Sequence, residues 1–244
     1  MSFNAYEDAR RAEAYARLEF PGTYSLAYRD LPAIIAAHVR GRDALDFGCG
    51  TGRSTRFLRT LGVQAVGVDV ARAMVLRARE LDPRGDYRLT NSGELGFADG
   101  SLDLALSAFT FDNVPTMAEK VRLFRALARL LRPHGRIVNL VSAPEIYRHE
   151  WASFSTKDYP ENARARAGDT VRIVITAIDD PRPVEDVVWP DAAYRQTYER
   201  AGLEVLAMHK PLATGDEPCA WVNETRIAPW VIYVLSRVGA SVPA

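Results

Sequence analysis

Ala44-Leu45-Asp46-Phe47-Gly48-Cys49-Gly50-Thr51-Gly52 decides the fold: a short apolar strand runs into an acidic residue and then into three alternating glycines. Glycine lacks a Cβ, so the backbone there can turn with positive φ and a ligand can lie against its N–H and C=O groups. From Arg53 to Leu61 the apolar residues Phe57, Leu58 and Leu61 fall at helical spacing, and Gly62 supplies a C-terminal stop. The loop therefore joins a strand to a helix. A second landmark follows: Gln64-Ala65-Val66-Gly67-Val68-Asp69 predicts another strand, ending in an acid 23 residues after Asp46. A carboxylate in that place can accept hydrogen bonds from both hydroxyls of a ribose.

The glycine spacing selects among nucleotide-type ligands. A dinucleotide loop reads G-x-G-x-x-G, with its helix N-terminus facing a pyrophosphate. This chain has G-x-G-x-G, continuing as Gly50-Thr51-Gly52-Arg53. With Asp46 two positions ahead, the pattern resembles motif I of the class I S-adenosylmethionine-dependent methyltransferases, whose cofactor carries no phosphate. The order of elements through Leu131-Arg132-Pro133-His134-Gly135 resembles the small-molecule branch of that family. The resemblance covers about residues 40 to 140 well and the last strands loosely. It implies an α/β, Rossmann-like doubly wound fold: a seven-stranded, mostly parallel sheet whose last strand runs antiparallel to the others.

Alternation of strands and helices through the first 140 residues independently predicts a parallel sheet covered on both faces. Asp30-Leu31-Pro32 opens a helix with Asp30 as N-cap. Strands are expected at Ala44 to Phe47, Ala65 to Val68, Tyr87 to Thr90, Leu102 to Ser107 and Arg136 to Val141, and a helix over Ala71 to Glu80. Thr116-Met117-Ala118-Glu119 is a T-x-x-E capping box ahead of Val121, Leu123, Phe124, Leu127, Leu130 and Leu131, so a helix starts there; Pro133 and Gly135 are expected to stop it. Asp191 is read as the cap of a helix that runs through Arg200 and ends at Gly202, before two closing strands at Leu203 to Ala207 and Val231 to Leu235.

Two segments lie outside this core. Residues 1–29 form an N-terminal cap rich in aromatics, among them Phe3, Tyr6, Tyr15, Phe20, Tyr24 and Tyr28. Residues 142–190 form an insertion after strand five: an aromatic, charged loop, then a hairpin of Val171 to Ala177 and Val184 to Trp189 around Asp180-Pro181-Arg182-Pro183. With 30–141 as cofactor-binding core and 191–244 as closing helix and strands, the chain reads as a single domain of 244 residues. Insertions at the ligand-facing edge of an α/β sheet usually carry substrate specificity, so 142–190 is expected to be a lid or substrate wall, with an oligomer contact as the alternative.

Composition removes several functions. Formal net charge is zero, and of 31 basic residues only Lys120, Lys157 and Lys210 are lysines. The arginines are scattered among acids, so there is no electrostatic footprint for nucleic acid. The start of the chain is polar, and no stretch approaches the ~18 apolar residues of a membrane span. Cys49 and Cys219 lie far apart without C-x-x-C spacing, so reduced thiols and no metal site are expected. A cytoplasmic protein, monomer or homodimer, with a small-molecule substrate is the resulting expectation.

The resemblance also places a site. It implies S-adenosylmethionine held by Asp46, Gly48, Gly50, Gly52 and Asp69, with the methionine end at the backbone around Gly48 and Gly50. Ser107 and Phe109 belong to the segment after strand four that in the family passes beneath the methyl group; beside what the resemblance implies, Tyr15 and Tyr24 are expected to close over the methionine end, with core packing as the alternative. For the adenine, Asn91 and Ser92 stand where the family commonly has Asp-Ala. Where many relatives carry histidines, this chain has Asp112 and Asn113; Asp112 is therefore a candidate base, or a partner for an amine or hydroxyl substrate. His149, in the aromatic insertion, is the other candidate base. The implied activity is methyl transfer to the oxygen or nitrogen of a small metabolite, with carbon possible and S-adenosylhomocysteine as product. Two alternatives stand beside it: a protein of this fold that binds the cofactor without methyl transfer, and a nicotinamide-dependent oxidoreductase.

Overall fold

A computed structural model describes residues 7–90 and 95–239. In chain order its elements are α1 (Ala9–Ala16), α2 (Thr23–Arg29), α3 (Leu31–His38), β1 (Asp43–Phe47), α4 (Arg53–Thr60), β2 (Gln64–Asp69), α5 (Arg72–Leu81), β3 (Asp86–Leu89) and β4 (Leu102–Ala108). After a 3-10 turn at Thr110–Asn113 come α6 (Met117–Leu130), β5 (Leu131–Ser142), β6 (Phe154–Ser155), β7 (Thr170–Ile175), β8 (Val184–Val187), α7 (Asp191–Ala201), β9 (Leu203–His209) and β10 (Trp230–Arg237).

Seven strands form one sheet in the order β3-β2-β1-β4-β5-β10-β9, and β10 pairs antiparallel with both β5 and β9. Because both faces are covered, the central strands are continuous apolar runs, and alternate side chains feed two cores. Leu104, Leu106, Val138, Leu140, Ile232 and Val234 face one core with α2 and α3; Ala105, Ile137, Val141, Val231 and Leu235 face the other with α6 and α7. Within the second core, Phe111 stacks on Phe124 with ring centroids 3.9 Å apart.

Local signals account for most element ends. The Thr116 hydroxyl accepts the Glu119 N–H at 3.2 Å, so Thr116 caps the helix as expected, and it donates to the Glu119 carboxylate at 2.9 Å, a side-chain bond in place of the box's backbone one. Gly202 ends α7 with φ of 77°, a left-handed geometry that suits glycine. Three expectations are corrected. The helix after the capping box stops at Leu130, and Pro133 and Gly135 fall inside β5, because Leu131 already pairs with Leu102 and extends the strand backwards. Asp191 is not the cap of α7: Pro190 holds that position, while the Asp191 carboxylate accepts from Arg195 and the Tyr233 hydroxyl. Asp30 stands at the N-cap of α3 but makes no capping bond, since Arg29 engages both of its carboxylate oxygens.

Residues 142–190 carry a second, three-stranded sheet in the order β6-β7-β8. Its β7–β8 turn is fastened to α1. Buried Arg11 donates to Asp180 and to the carbonyls of Arg182 and Pro183, and Arg182 reaches back to Asp8 at 2.8 Å, the residue that caps α1. The N-terminal helix and the hairpin thereby bridge over the carboxyl ends of β1, β2 and β4. There the strand order reverses between β1 and β4, the place where open α/β sheets leave a crevice. Among the described residues no helix is long and apolar enough to cross a membrane.

Candidate functional site

A cavity of about 940 Å³ occupies that crevice. Its floor is the glycine loop. Gly48, Gly50 and Gly52 all have positive φ (74°, 53° and 83°), as the spacing requires. A Cβ on Gly48 would lie 2.1 Å from the Thr110 hydroxyl, so the loop can lie against the turn after β4 only without a side chain. A Cβ on Gly50 would meet nothing within 4 Å and would project into open space at the cavity wall. That open cradle is the test for a bound group: the backbone there is bare and faces room for a ligand.

Asp69 ends β2 on the same wall. Its carboxylate accepts the Gly50 N–H at 2.8 Å through one oxygen and the Ala71 N–H at 2.8 Å through the other. The two bonds fix the carboxylate plane beside the loop, and each oxygen keeps further lone-pair capacity for a diol. Burial raises its pKa, and the hydrogen bonds from Ala71 and Gly50 oppose that rise. A ribose-bearing cofactor fits this pairing of bare backbone and oriented carboxylate.

Asp46 works from behind the loop. It is fully buried and off the cavity wall, and one oxygen accepts both the Ser54 and Thr55 hydroxyls at 2.6 Å. Asp46 thus ties β1 to the first turn of α4. Burial pushes its carboxyl up to about 6 against those two donors. Gly52 also lies off the wall, where a Cβ would strike the Tyr87 ring. Ser107 is buried in the sheet, with its hydroxyl unpaired and away from the cavity. Asn91 and Ser92 lie outside the described residues.

Phe109 is on the wall and has φ of 64°, a strained value for a side chain with a Cβ. Its ring packs edge-on to Tyr24 at 5.8 Å and against Trp230 at 4.7 Å. The bend sends Thr110 to the Phe47 carbonyl at 2.8 Å and brings Asp112 to the opposite wall. Tyr24 lies under Arg53, whose guanidinium sits 4.7 Å from that ring and 5.3 Å from the Tyr28 ring and donates to the Glu19 carbonyl. Arg53 is the first residue of α4, so it couples the N-terminal segment to the loop; its place directly after G-x-G-x-G was the sequence signal for this role.

At the far end of the cavity the structure assembles a group that sequence reading missed in part. Asp112, from the turn after β4, accepts the Ser142 N–H at 3.0 Å and the Tyr194 hydroxyl at 3.5 Å. Asp186, on β8, accepts the Tyr147 hydroxyl at 3.0 Å. Beneath them Lys120 is fully buried, donating to the Phe111 carbonyl, with its ammonium 4.8 Å from the Trp189 ring centroid. Burial raises both carboxyls, to about 6 for Asp112 and about 7 for Asp186, and mutual repulsion adds to the rise of Asp186. Burial lowers Lys120 to about 8, opposed by the two acids. Alternation in Val184-Glu185-Asp186-Val187 could have shown that Asp186 shares the face of Val184, but not what it would meet.

His149 is not brought to the cavity. It is half-buried in the insertion, with its ring 6.2 Å from Trp151. Cys49 lines the cavity and Cys219 is remote; both thiols are free, and burial raises Cys49 well above the ordinary thiol range. Among the described residues no group of three or more His, Cys, Asp or Glu could hold a metal ion.

Residues 45–139 match the family model described as a methyltransferase domain. A demethylmenaquinone methyltransferase of Tropheryma whipplei is 38% identical over 101 residues, covering 40% of this chain and 41% of that protein. The cypemycin N-terminal methyltransferase of a Streptomyces species is 31% identical over 188 residues, 73% of this chain and 64% of that protein. The chain thus spans about two-fifths of the length of the first curated relatives it matches. Among solved structures, the CcbJ methyltransferase of Streptomyces caelestis superposes with a TM-score of 0.68 at 18% identity, over 96% of this chain and 98% of that one. At that identity the likeness concerns the fold.

Proposed function

We propose, on the methyltransferase-domain match over residues 45–139, that this chain is a class I S-adenosylmethionine-dependent methyltransferase and transfers the sulfonium methyl group to a heteroatom of a small organic acceptor held in the cavity. The observation that carries this reading is the Gly50–Asp69 arrangement: an oriented carboxylate and bare backbone on one wall of the same cavity that Asp112 lines on the other. Gly48 and Gly50 would hold the amino-acid end of the cofactor and Asp69 its ribose. When bound, the cofactor supplies an electrophilic methyl carbon: the acceptor lone pair forms the new bond while the C–S bond breaks and its electron pair stays on sulfur.

The chain's own residues then have to orient the acceptor and exclude water. Tyr24, Phe109, Phe154 and Trp230 form an aromatic wall between the two ends of the cavity. Residues 1–29 act as a cap and 142–190 as the substrate wall, a division that the Arg11 and Arg182 fastening supports. Asp112, within the segment after β4, and Asp186, on β8, are the acids that share the wall with an acceptor, whereas His149 lies off it. The free thiols support a reducing, cytoplasmic setting.

Thermal unfolding tests the reading directly. Ligand present at a hundred times its dissociation constant stabilises by about 2.7 kcal/mol, so S-adenosylmethionine and S-adenosylhomocysteine should each raise Tm by several degrees and NAD should not. A shift with NAD alone would contradict it.

A further inference from the structure

Asp112 and Asp186 reach the cavity from elements that are remote in sequence, the turn after β4 and the inserted hairpin. Between them they have one buried counter-charge, Lys120, which is fully buried, sits off the cavity wall and is held by the Phe111 carbonyl. With all three groups ionised, one negative charge is left over at the wall. Arg53, Glu119 and Arg122 also line the cavity, but neither arginine is among the groups that chiefly shift the two carboxyls, and Glu119 adds no positive charge. Arg11 and Arg182 are bound to Asp180 and Asp8, Glu185 is bound to Arg172, and Tyr147 and Tyr194 are neutral donors. Asp186 is 8% exposed, and while one of its oxygens takes the Tyr147 hydroxyl, Oδ1 accepts no hydrogen bond from the described residues and is not among the sealed, unsatisfied atoms. A buried carboxylate oxygen with a free face on a ligand cavity asks for a donor, and the leftover charge asks for a cationic one.

Resting on the methyl-transfer reading above, we infer that the acceptor is a small organic ammonium compound with an apolar body, bound through its N–H groups to Asp186 Oδ1 under the field of Asp112. With a neutral hydroxyl acceptor, only a proton on the pair could compensate the excess charge. The apolar body lies against Phe109, Phe154 and Trp230, which line the same cavity. An ammonium nitrogen has no lone pair, so one N–H bond must break first. Its electron pair stays on nitrogen, and the proton forms an O–H bond at Asp186 Oδ1, leaving a neutral amine next to a neutral acid. The raised carboxyl range of this pair brings it closer to the proton affinity of a desolvated amine.

The test is calorimetry on the full chain saturated with S-adenosylhomocysteine, titrated with a panel of primary alkyl- and arylalkylamines headed by benzylamine, and with benzyl alcohol as its neutral match. The expected result is at least one amine binding tenfold or more tighter than its alcohol. That preference should fall tenfold or more in Asp186→Asn and in Asp112→Asn, with S-adenosylhomocysteine affinity within about twofold of the parent. Equal binding of amine and alcohol, no binding by any amine of the panel, or a preference that survives Asp186→Asn and Asp112→Asn together would overturn the inference. The comparison in the parent protein decides even if a variant fails to fold. If S-adenosylhomocysteine itself does not bind the parent, it is the methyl-transfer reading that has failed, so the two failures are distinct.

Discussion

The two ends of the cavity are built in opposite ways. The end proposed for the cofactor is local: loop, helix and terminal acid lie between Ala44 and Asp69, and their contacts stay mostly inside that stretch, as in the Gly50 N–H to Asp69 bond and the Ser54 and Thr55 bonds to Asp46. The end proposed for the acceptor is assembled from four places in the chain, with Asp112, Lys120, Tyr147 and Asp186 meeting only once β4, α6 and the hairpin are packed. A local site tolerates one architecture and fixes one ligand. An assembled site can change its ligand when a single inserted strand changes, which is how one fold hosts many chemistries.

The largest effect that would sharpen this contrast is expected from Gly48→Ala. The new Cβ would collide with Thr110 at a φ of 74°, so S-adenosylhomocysteine affinity should fall by about a hundredfold, corresponding to the upper part of the 1–3 kcal/mol range for strained positions. Calorimetry showing parental affinity would mean that the loop is not the cofactor floor.

Next in size is a pH effect confined to the acceptor end. Asp112 and Asp186 have folded-state values raised to about 6 and about 7. Ammonium binding should therefore strengthen by about tenfold as pH rises through that window and the carboxylates ionise. Stability moves the other way: raised carboxyls favour the folded state below the unfolded value near 4, and that contribution is lost as pH climbs through 6 to 7. Lys120, lowered to about 8, opposes the trend, since its contribution is lost as pH falls through 8. Binding titrations and melting curves at pH 5, 6, 7 and 8 would check both signs. A flat binding profile for the amine would break the comparison.

Arg11→Ala should be smaller and should report on the fastening between α1 and the hairpin. Breaking a well-buried ion pair can cost about 3–5 kcal/mol, but Arg182 still partners Asp180, so about 1–2 kcal/mol is expected. Hydrogen exchange should accelerate in α1 and at the β7–β8 turn, leaving β1 and β4 protected. The smallest effect is expected from His149→Ala, which lies off the cavity. Methyl transfer should stay within about twofold of the parent, measured as S-adenosylhomocysteine formed with an accepted amine.

The same contrast explains what the sequence made legible. The glycine spacing, the acid at Asp69, the T-x-x-E run at Thr116 and the glycine stops are contiguous signals, and alternation of strands and helices gives a parallel sheet, whereas the antiparallel last strand was legible only through the family resemblance. Asp112 could be suspected because it stands in the segment after β4. Asp186 could not, because nothing in Val184-Glu185-Asp186-Val187 tells that β8 will pack beside the 110–113 turn, nor that Lys120 will lie beneath them. The misread caps have a related cause. Asp30 and Asp191 have the right residue type in the right place, but Arg29, Arg195 and Tyr233 compete for their carboxylates.

The most direct measurement of the central claim is calorimetric binding of S-adenosylmethionine, S-adenosylhomocysteine and NAD to the parent protein and to Asp69→Ala. The account predicts micromolar binding of the first two, weakened by about a hundredfold when the carboxylate that accepts from Gly50 and Ala71 is removed, and no binding of NAD. Unchanged affinity in Asp69→Ala, or NAD binding in place of the sulfonium cofactor, would contradict it.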